Sequence, residues 1–264
     1  MKIIFIRHGE PDYATDSLTK NGKKEALALA ERVKKWDVTK FFVSPQGRAQ
    51  ETAAPSLSAL SKEATVLDYL HEFSYTVEDP VTKRHGIAWD FVPSDWAKYD
   101  CMFKEGPAFM EYPCISASKE IPEKYDEAIS GIDEILASYG YARCGRYYIN
   151  ENAKPRYLTS TVGPENQIRN NGPILKDGEK EPVLVFFCHL GIICLLLSHL
   201  LNIPFETLTH GFFLPTTSVT VLSTEERWNK EAYFRVQCMG DTTHLHDAGI
   251  PISPAGSFAD PFQG

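Results

Sequence analysis

Short apolar runs separated by amphipathic stretches recur along the chain. The runs are continuous rather than alternating, which is typical of strands buried on both faces of a parallel sheet. Six segments are predicted as strands on this basis: Lys2–Ile6, Lys40–Val43, Thr65–Tyr69, Val183–Cys188, Ser218–Leu222 and Ala232–Gln237. His189 directly follows the fourth of these segments, and His8 follows the first after Arg7.

The stretches between these runs show the spacing of helices. Thr19–Lys35 carries apolar residues at i, i+3, i+4 and i+7, and Thr19 is a suitable N-cap. Pro122–Tyr139 has one apolar face and ends at Gly140. A further helical run follows His189. Alternating strands and helices predict an α/β fold, a three-layer α/β/α sandwich with a mostly parallel central sheet.

One further helix is predicted after the second strand. Ser44 and Pro45 resemble a helix start, with Ser44 as the capping residue and Pro45 at the first helical position. Pro55 lies inside this predicted helix, and we expect a kink or an early end there, because proline lacks the backbone N–H.

Two segments interrupt the alternating pattern. Residues 76–120 are irregular and rich in aromatic side chains, and residues 141–181 are polar and rich in Asn, Gly, Pro and Lys. We interpret residues 1–264 as a single domain with these two insertions, of which at least one is expected to reach the functional site. No internal repeat divides the chain.

Composition restricts the classes of partner. The chain has 27 Lys and Arg against 35 Asp and Glu, a net charge of −8. Nucleic acids and anionic membranes require a basic surface, so neither is expected as a partner. The six cysteines include no CxxC pair, and the first apolar run is too short for a signal peptide or a membrane span. These features predict a cytoplasmic protein, and a homodimer stays open as one oligomeric state.

Reactive side chains follow the predicted strands at the points where they end. Arg7 and His8 come after the first strand and His189 after the fourth; Arg48 and Glu72 follow two others by a few residues. Ligands of open α/β sheets bind beyond the carboxyl ends of the strands, so we expect these five side chains to converge. Two guanidinium groups beside imidazoles favour a phosphate group.

Three sequence blocks carry a resemblance to a known family. Arg7-His8-Gly9-Glu10, Ser44–Ala53 and Phe187–Gly191 occur in the order and context typical of the histidine phosphatase superfamily, in its phosphoglycerate mutase-like branch. Gly240–Leu245 is similar to a common C-terminal block of this family. The match spans about residues 1–75 and 182–246, and the middle of the chain is unmatched.

The resemblance implies a role for each matched residue. His8 would attack phosphorus and carry the phosphoryl group, while Arg7, Arg48 and His189 would hold the phosphate oxygens. Glu72 would protonate the leaving group and then activate water; the carboxyl groups of Glu78, Asp79 and Asp90 are the alternatives. The family requires no metal or other cofactor.

Two further residues are predicted to contact the substrate. Leu190 stands where many relatives have glycine, so its backbone N–H would face phosphate while its side chain points away. Glu10 is either a substrate-binding residue or a packing partner of Arg7. His244 is interpreted as structural.

The resemblance implies a phosphatase that hydrolyses a small phosphorylated metabolite through a phosphohistidine intermediate. A phosphoglycerate-type phosphomutase is the alternative, although the loop after the first block, Pro11-Asp12-Tyr13, departs from the mutase pattern. A non-catalytic phosphate-binding scaffold is a third reading. Serine hydrolase and P-loop motifs are absent from the sequence.

Overall fold

A computed structural model describes residues 1–152, 180–227, 229–257 and 259–263. Its strands are β1 Lys2–Arg7, β2 Pro11–Asp12, β3 Ser17–Leu18, β4 Lys40–Val43, β5 Ala64–Val66, β6 Thr76–Glu78, β7 His85–Ile87, β8 Tyr141–Cys144, β9 Tyr147–Asn150, β10 Val183–Cys188, β11 Val219–Glu226 and β12 Glu231–Asp241. Its α-helices are α1 Lys20–Val33, α2 Gly47–Leu60, α3 Pro93–Trp96, α4 Pro113–Ser116, α5 Glu120–Ser138, α6 Leu190–Leu201, α7 Phe205–Gly211 and α8 Thr243–Asp247.

The central sheet has the strand order β5-β4-β10-β1-β11-β12-β9-β8. Its first four strands are parallel to one another, whereas β11, β12, β9 and β8 continue the sheet in antiparallel pairs. The predicted α/β class is confirmed, and the sheet is mixed. Every strand that precedes a predicted site residue belongs to the parallel half.

Helices cover both faces of this sheet, which makes three layers. Because successive strand residues point to opposite faces, β1 divides its side chains between two cores. Ile3 and Phe5 pack in the larger core with residues of α5 and α6. Ile4 and Ile6 pack in the second core with residues of α1 and α2.

The start of α1 agrees with the sequence prediction, whereas the start of α2 differs from it. The Thr19 hydroxyl accepts the N–H of Gly22 at 3.0 Å, as a helix cap does. In contrast, α2 begins at Gly47 after Gln46, so the prediction that Ser44 and Pro45 begin the helix was wrong. The Ser44 side chain instead lies beside His189.

Pro55 neither ends α2 nor shortens it, since the helix continues to Leu60. Of the two expected effects the early end was therefore wrong, and the kink stays a prediction. The helix buries Ala49 and Ala53 before the proline, and Leu57 and Leu60 pack against the same core after it, so packing holds the turns on both sides together.

The strand predicted at Thr65–Tyr69 is shorter than expected. It is β5, which ends at Val66, and a 3₁₀ turn over Asp68–Leu70 follows. This turn leads the chain into Glu72. The change of direction brings the Glu72 carboxyl group to the N-terminus of α6, which follows His189.

The first insertion is a folded unit of short elements. It contains the hairpin β6–β7, α3, α4 and two 3₁₀ turns, and its rings pack against α7 through Phe109 and Phe205 and through Trp96 and His210. The second insertion begins with the hairpin β8–β9 at the sheet edge. Residues 153–179 of it lie outside the described part of the chain.

None of the described helices is long and apolar enough to cross a membrane. The six cysteines are free thiols.

Candidate active site

The two histidines of the site are brought together by strand pairing. β1 and β10 are parallel neighbours, and Arg7 pairs with Cys188 at their carboxyl ends. The next residue of each strand is a histidine, so His8 and His189 leave the sheet side by side. Their ring centroids are 5.1 Å apart, with an interplanar angle of 53°.

His8 is held as a neutral imidazole with one free nitrogen. Its Nδ1 lies 2.7 Å from the carbonyl oxygen of Gly9, which can only accept, so Nδ1 carries the proton. The Nε2 lone pair is therefore available. Burial first and the charge of Arg7 second lower the pKa of His8 well below its usual value, so the ring is neutral at neutral pH.

The free ring nitrogen of His189 is a hydrogen-bond donor, whereas that of His8 is an acceptor. Ser44 Oγ lies 2.8 Å from Nε2 and accepts the N–H of Gln46; among the described residues Nε2 is the one acceptor within hydrogen-bond distance of the Ser44 hydroxyl, so we infer that this hydroxyl donates to Nε2. The ring proton is then on Nδ1, a buried atom without a hydrogen-bond partner among the described residues. Burial and the neighbouring His8 lower the pKa of His189. Its Nδ1 can donate to an anion.

Arg7 is a buried guanidinium held by backbone carbonyls. Its Nη1 donates to Leu214 at 2.7 Å and its Nη2 donates to Ala255 at 2.9 Å. Burial lowers the pKa of Arg7 from its usual value. Gly256 allows this arrangement: its φ is +77°, and a Cβ there would lie 2.6 Å from Arg7 Nη2.

Arg48 is oriented by a carboxylate from the loop after β2. Asp16 Oδ1 accepts Arg48 Nη1 at 2.5 Å, and Asp16 Oδ2 accepts the N–H of Gly47 at 2.6 Å. The ring of Tyr13, which is largely exposed, lies 5.5 Å from the guanidinium carbon. Asp16 thereby fixes both the start of α2 and the direction of Arg48.

Glu72 caps the helix that begins next to His189. Its Oε1 accepts the N–H groups of Gly191 at 2.8 Å, Ile192 at 3.3 Å and Phe73 at 3.0 Å. The first two are free donors of the α6 N-terminus. Burial raises the pKa of Glu72 above its usual value, against the opposing effects of Arg7 and Arg48.

Gly191 and Trp89 complete the surroundings of Glu72. A Cβ on residue 191 would lie 2.8 Å from Glu72 Oε1 and 3.0 Å from Trp89 Nε1, so glycine is required for this close approach. Trp89 donates to the carbonyl of Phe73. Since Trp89 belongs to the segment 76–120, the first insertion reaches the site.

Two of the three alternative carboxyl groups are engaged elsewhere. Asp79 accepts the N–H groups of Val81 and Thr82 within its own hairpin. Glu78 is exposed and lies 3.8 Å from Lys83. The acid role of Glu72 stays a prediction, but Glu72 alone of these carboxyl groups shares a cluster with the two histidines.

Glu10 and Leu190 occupy different environments. The Glu10 carboxylate accepts Thr19 Oγ1 at 2.6 Å and Asn21 Nδ2 at 3.1 Å, so it holds the start of α1. Its predicted substrate contact has no support in these bonds. The Leu190 side chain packs in the larger core, which leaves only its backbone facing the site.

The cluster has the charge pattern of an anion site. The buried atoms Arg7 Nε, Arg48 Nε and His189 Nδ1 have no hydrogen-bond partner among the described residues. All three are donors, and buried donors require an acceptor. Ligand atoms of His8, Glu72 and His189 also lie within 4.8 Å of one another, which a metal ion could bridge. Two adjacent guanidinium groups oppose a cation there.

Several residues of the site were missed in the sequence. Ser44 was interpreted as a helix cap, and Asp16 carried no motif. Ala255 and Gly256 lie beyond the last matched block, at a long distance along the chain from Arg7. Only the left-handed conformation suited to Gly256 leaves a signal, and a single glycine in a loop is a weak one.

Comparisons with known proteins agree with this geometry. The sequence profile of the histidine phosphatase superfamily, branch 1, matches residues 3–93. No curated protein matches the chain. The profile match confirms the resemblance over the part of the chain that contains the first two of the three sequence blocks, and the α/β fold is consistent with the same family.

Solved structures show the fold over most of the chain. A mutant phosphoserine phosphatase of Entamoeba histolytica in complex with phosphoserine has a TM-score of 0.54 and 19% identity, covering 92% of this chain and 98% of that chain. A mycobacterial glucosyl-3-phosphoglycerate phosphatase has a TM-score of 0.54 and 18% identity, covering 90% and 98%. The protein YhfR of Bacillus stearothermophilus has a TM-score of 0.52 and 17% identity, covering 92% and 98%.

Proposed function

We propose that this chain is a phosphatase that hydrolyses a small phosphorylated metabolite through a phosphohistidine on His8. The observation that carries the proposal is the state of the His8 ring. The Gly9 carbonyl fixes the proton on Nδ1, and burial keeps the ring neutral, so Nε2 is a ready nucleophile. A structural histidine at a strand end needs neither an unengaged Nε2 nor neighbouring unpaired donors.

The first step transfers the phosphoryl group. His8 Nε2 forms a bond to phosphorus as the bond to the leaving oxygen breaks, and Glu72 gives its proton to that oxygen. Arg7, Arg48 and His189 donate hydrogen bonds to the phosphate oxygens and stabilise their charge. Burial raises the pKa of Glu72, which favours the protonated carboxyl that this role requires.

The second step restores the enzyme. Glu72, now a carboxylate, takes a proton from water, the water oxygen bonds to phosphorus, and the P–N bond breaks. Inorganic phosphate leaves, and the electron pair returns to His8 Nε2. Glu72 ends the cycle protonated, so protons and bonds balance without any further reactant.

The arginine charges support a reaction that needs no metal. Arg7 and Arg48 supply two fixed positive charges at the site where a metal ion would otherwise offset phosphate charge. For the substrate, the names of two fold neighbours are relevant: they are phosphatases of phosphoserine and of glucosyl-3-phosphoglycerate. Both are small phosphate monoesters, and we infer the same class here.

The test is turnover of an aryl phosphate with a chelator present. The wild-type chain is expected to release phosphate and, after rapid acid-free quenching, to carry label from ³²P-substrate on His8. His8→Ala should lose about 10⁴-fold or more in kcat and all label, by analogy with loss of other catalytic nucleophiles. His85→Ala, an exposed histidine of β7, is the matched control.

Other results would overturn the proposal. Turnover abolished by the chelator indicates metal chemistry. Isomerisation of phosphoglycerate with little phosphate release indicates a mutase. Vanadate binding without turnover of any phosphate monoester indicates a scaffold. Retained turnover in His8→Ala removes the nucleophile assignment itself.

A further inference from the structure

A second polar pocket lies apart from the histidine site, between the C-terminal end of α1 and α8. Its volume is about 360 Å³. It is lined by Ala28, Glu31, Arg32, Lys35, Thr243, His244, Asp247 and Ala248. None of these residues belongs to the histidine site, so the proposed phosphatase chemistry leaves the pocket unexplained.

Arg32 lines this pocket and has one unpaired donor. Its Nη2 donates to Asp241 Oδ2 at 2.5 Å, and its guanidinium carbon lies 5.7 Å from the ring of Trp36. Its Nη1 is buried and has no hydrogen-bond partner among the described residues. A buried guanidinium N–H is costly when unpaired, so an acceptor at this position is favoured.

His244 offers an acceptor on the same wall. The residue is 4% exposed, and its Nε2 lies 3.1 Å from Thr217 Oγ1. The Thr217 hydroxyl donates to the Thr216 carbonyl at 2.7 Å, so Nε2 is the donor to Thr217 and carries the ring proton. Burial, assisted by the charge of Arg32, lowers the pKa of His244 to about 4. The neutral ring therefore has an unpartnered lone pair on Nδ1.

The rim of the pocket carries both signs of charge. Lys35 is exposed and cationic, while Glu31 and Asp247 are exposed carboxylates. The charge of Arg32 is already offset by Asp241. Glu31 is paired with Lys34 in the same way, so Lys35 and Asp247 are the rim charges that a ligand would meet: an anion alone faces Asp247, and a cation alone faces Lys35. A group of each sign on one small molecule satisfies both.

We propose that this pocket binds a small zwitterion, a free α-amino acid. The ligand carboxylate accepts hydrogen bonds from Arg32 Nη1 and Lys35. Its ammonium group donates to His244 Nδ1 and lies near Asp247. Ala28 and Ala248 are the small apolar residues of the lining, and they leave room for a short aliphatic side chain.

The ligand chemistry also separates the two sites. The unpaired buried atoms of the histidine site, Arg7 Nε, Arg48 Nε and His189 Nδ1, are donors, which suits a phosphate group, whereas this pocket has an unpaired donor on Arg32 and an unpaired acceptor on His244. A connection remains through the backbone: Thr217, the partner of His244, donates its N–H to the carbonyl of His8 at 3.2 Å. The binding measurement must therefore be made with the histidine site both free and occupied.

Titration calorimetry of the full chain with L-alanine tests the proposal, in the absence and presence of vanadate at the histidine site. Propionate and ethylamine are the matched probes, since each keeps one charged group of alanine. We expect saturable binding of alanine in both conditions and at least about tenfold weaker binding of either probe, the effect of one lost hydrogen bond to a charged group.

Variants locate the binding. Lys35→Gln is expected to weaken alanine binding several-fold, and His244→Phe about tenfold or more. The matched control is Lys23→Gln, which makes the same change of charge on α1 at a lysine 3.9 Å from Glu51 and outside the pocket. Lys35 is exposed, so its replacement leaves folding intact even where His244→Phe does not.

Any of four outcomes overturns the assignment. Propionate binding as tightly as alanine makes the pocket a simple anion site. Displacement of alanine by vanadate places alanine at the histidine site. Absence of binding for all three probes, or equal affinity in wild type and Lys35→Gln, removes the amino acid site. None of these results depends on whether the chain hydrolyses a phosphate ester.

Discussion

The molecule contains two polar clusters of similar composition and opposite character, one largely buried and one half-buried. The histidine site consists of Arg7, His8, Arg48, Glu72 and His189. The Asp133 cluster consists of Asp133, Arg143, Tyr148, His199 and Asn202. Each contains imidazole, guanidinium and carboxyl groups. The first lies at the carboxyl ends of the parallel strands, and the second joins α5, α6 and the antiparallel hairpin β8–β9.

The two clusters differ in whether their hydrogen-bonding groups have partners within the protein. Asp133 accepts Tyr148 Oη at 2.8 Å and lies 3.0 Å from His199 Nε2, while Arg143 donates to Tyr148 and Asn202. No buried side-chain atom of the Asp133 cluster is unpaired among the described residues, whereas the histidine site has three such donors. A closed network stabilises a fold, and unpaired donors indicate a ligand.

The comparison predicts the largest loss of activity at Glu72. Glu72→Gln keeps an oxygen for the N–H groups of Gly191 and Ile192 but has no proton to give the leaving oxygen. We expect kcat for a phosphate monoester with a poor leaving group to fall by about 10²- to 10⁴-fold. Steady-state kinetics measure this loss. A 4-nitrophenyl ester, whose leaving group needs less protonation, should lose less, and equal losses for both esters would contradict the acid role.

The pH dependence of stability tests the state of the same carboxyl. Burial raises the folded-state pKa of Glu72 above that of the unfolded chain, so the folded state holds its proton to higher pH. This contribution is complete below the unfolded pKa and is lost as pH rises through the folded pKa. The free energy of unfolding, measured in urea, should fall over this range in the wild type and fall less in Glu72→Gln.

Gly256→Ala is predicted to have the next largest effect. The new Cβ would lie 2.6 Å from Arg7 Nη2, and the backbone there has a positive φ that alanine adopts with strain. Displaced from its carbonyl partners, Arg7 should hold phosphate less well, and we expect kcat/KM to fall about 10- to 100-fold. Gly249→Ala is the control, because its φ is also positive but a Cβ there meets nothing within 4 Å. Equal losses in both would assign the effect to backbone strain.

The sequence predicted the parts of the site that depend on strand ends. A continuous apolar run followed by His8 or His189 indicates that each histidine stands at the end of a strand in a parallel sheet. The parallel pairing of β1 with β10 then brings the two histidines together. The sheet order beyond those strands was not visible, because antiparallel β11 and β12 have apolar runs much like parallel ones. The family resemblance supplied the expected roles of the site residues, which the periodicity of the sequence does not indicate.

The supporting residues could not be predicted for a different reason. Ser44 next to Pro45 has the sequence of a helix start, and only the position of His189 diverts its hydroxyl. Asp16 reaches Arg48, and Ala255 reaches Arg7, across long stretches of sequence. Such contacts are set by tertiary packing, which leaves no local pattern in the chain.

For the Asp133 cluster we predict a loss of stability with activity retained, the reverse of the effect expected at the histidine site. Asp133→Ala removes the acceptor of Tyr148 and His199 and leaves their donors unpaired. We expect a loss of about 1–3 kcal/mol in the free energy of unfolding, measured by urea denaturation, with kcat/KM of the folded enzyme unchanged within about twofold. A large fall in kcat/KM at unchanged stability would mean that this cluster also serves the chemistry.

Ser44→Ala should have the smallest effect on activity. It tests whether His189 presents a donor to the ligand or belongs to a network whose groups are all paired. Its hydroxyl is the one bond that fixes the His189 tautomer, with the proton on Nδ1. Without it, the neutral ring can place its proton on either nitrogen, so only part of the molecules present a donor to phosphate. Burial keeps the ring neutral, so the donor is lost only in the molecules that have the proton on Nε2. We therefore expect kcat/KM to fall about 3- to 10-fold, with little change in stability. ¹⁵N chemical shifts of the His189 ring measure the tautomer directly. A wild-type ring already protonated on Nε2 would show that His189 accepts rather than donates, and the second imidazole would then belong with the closed networks.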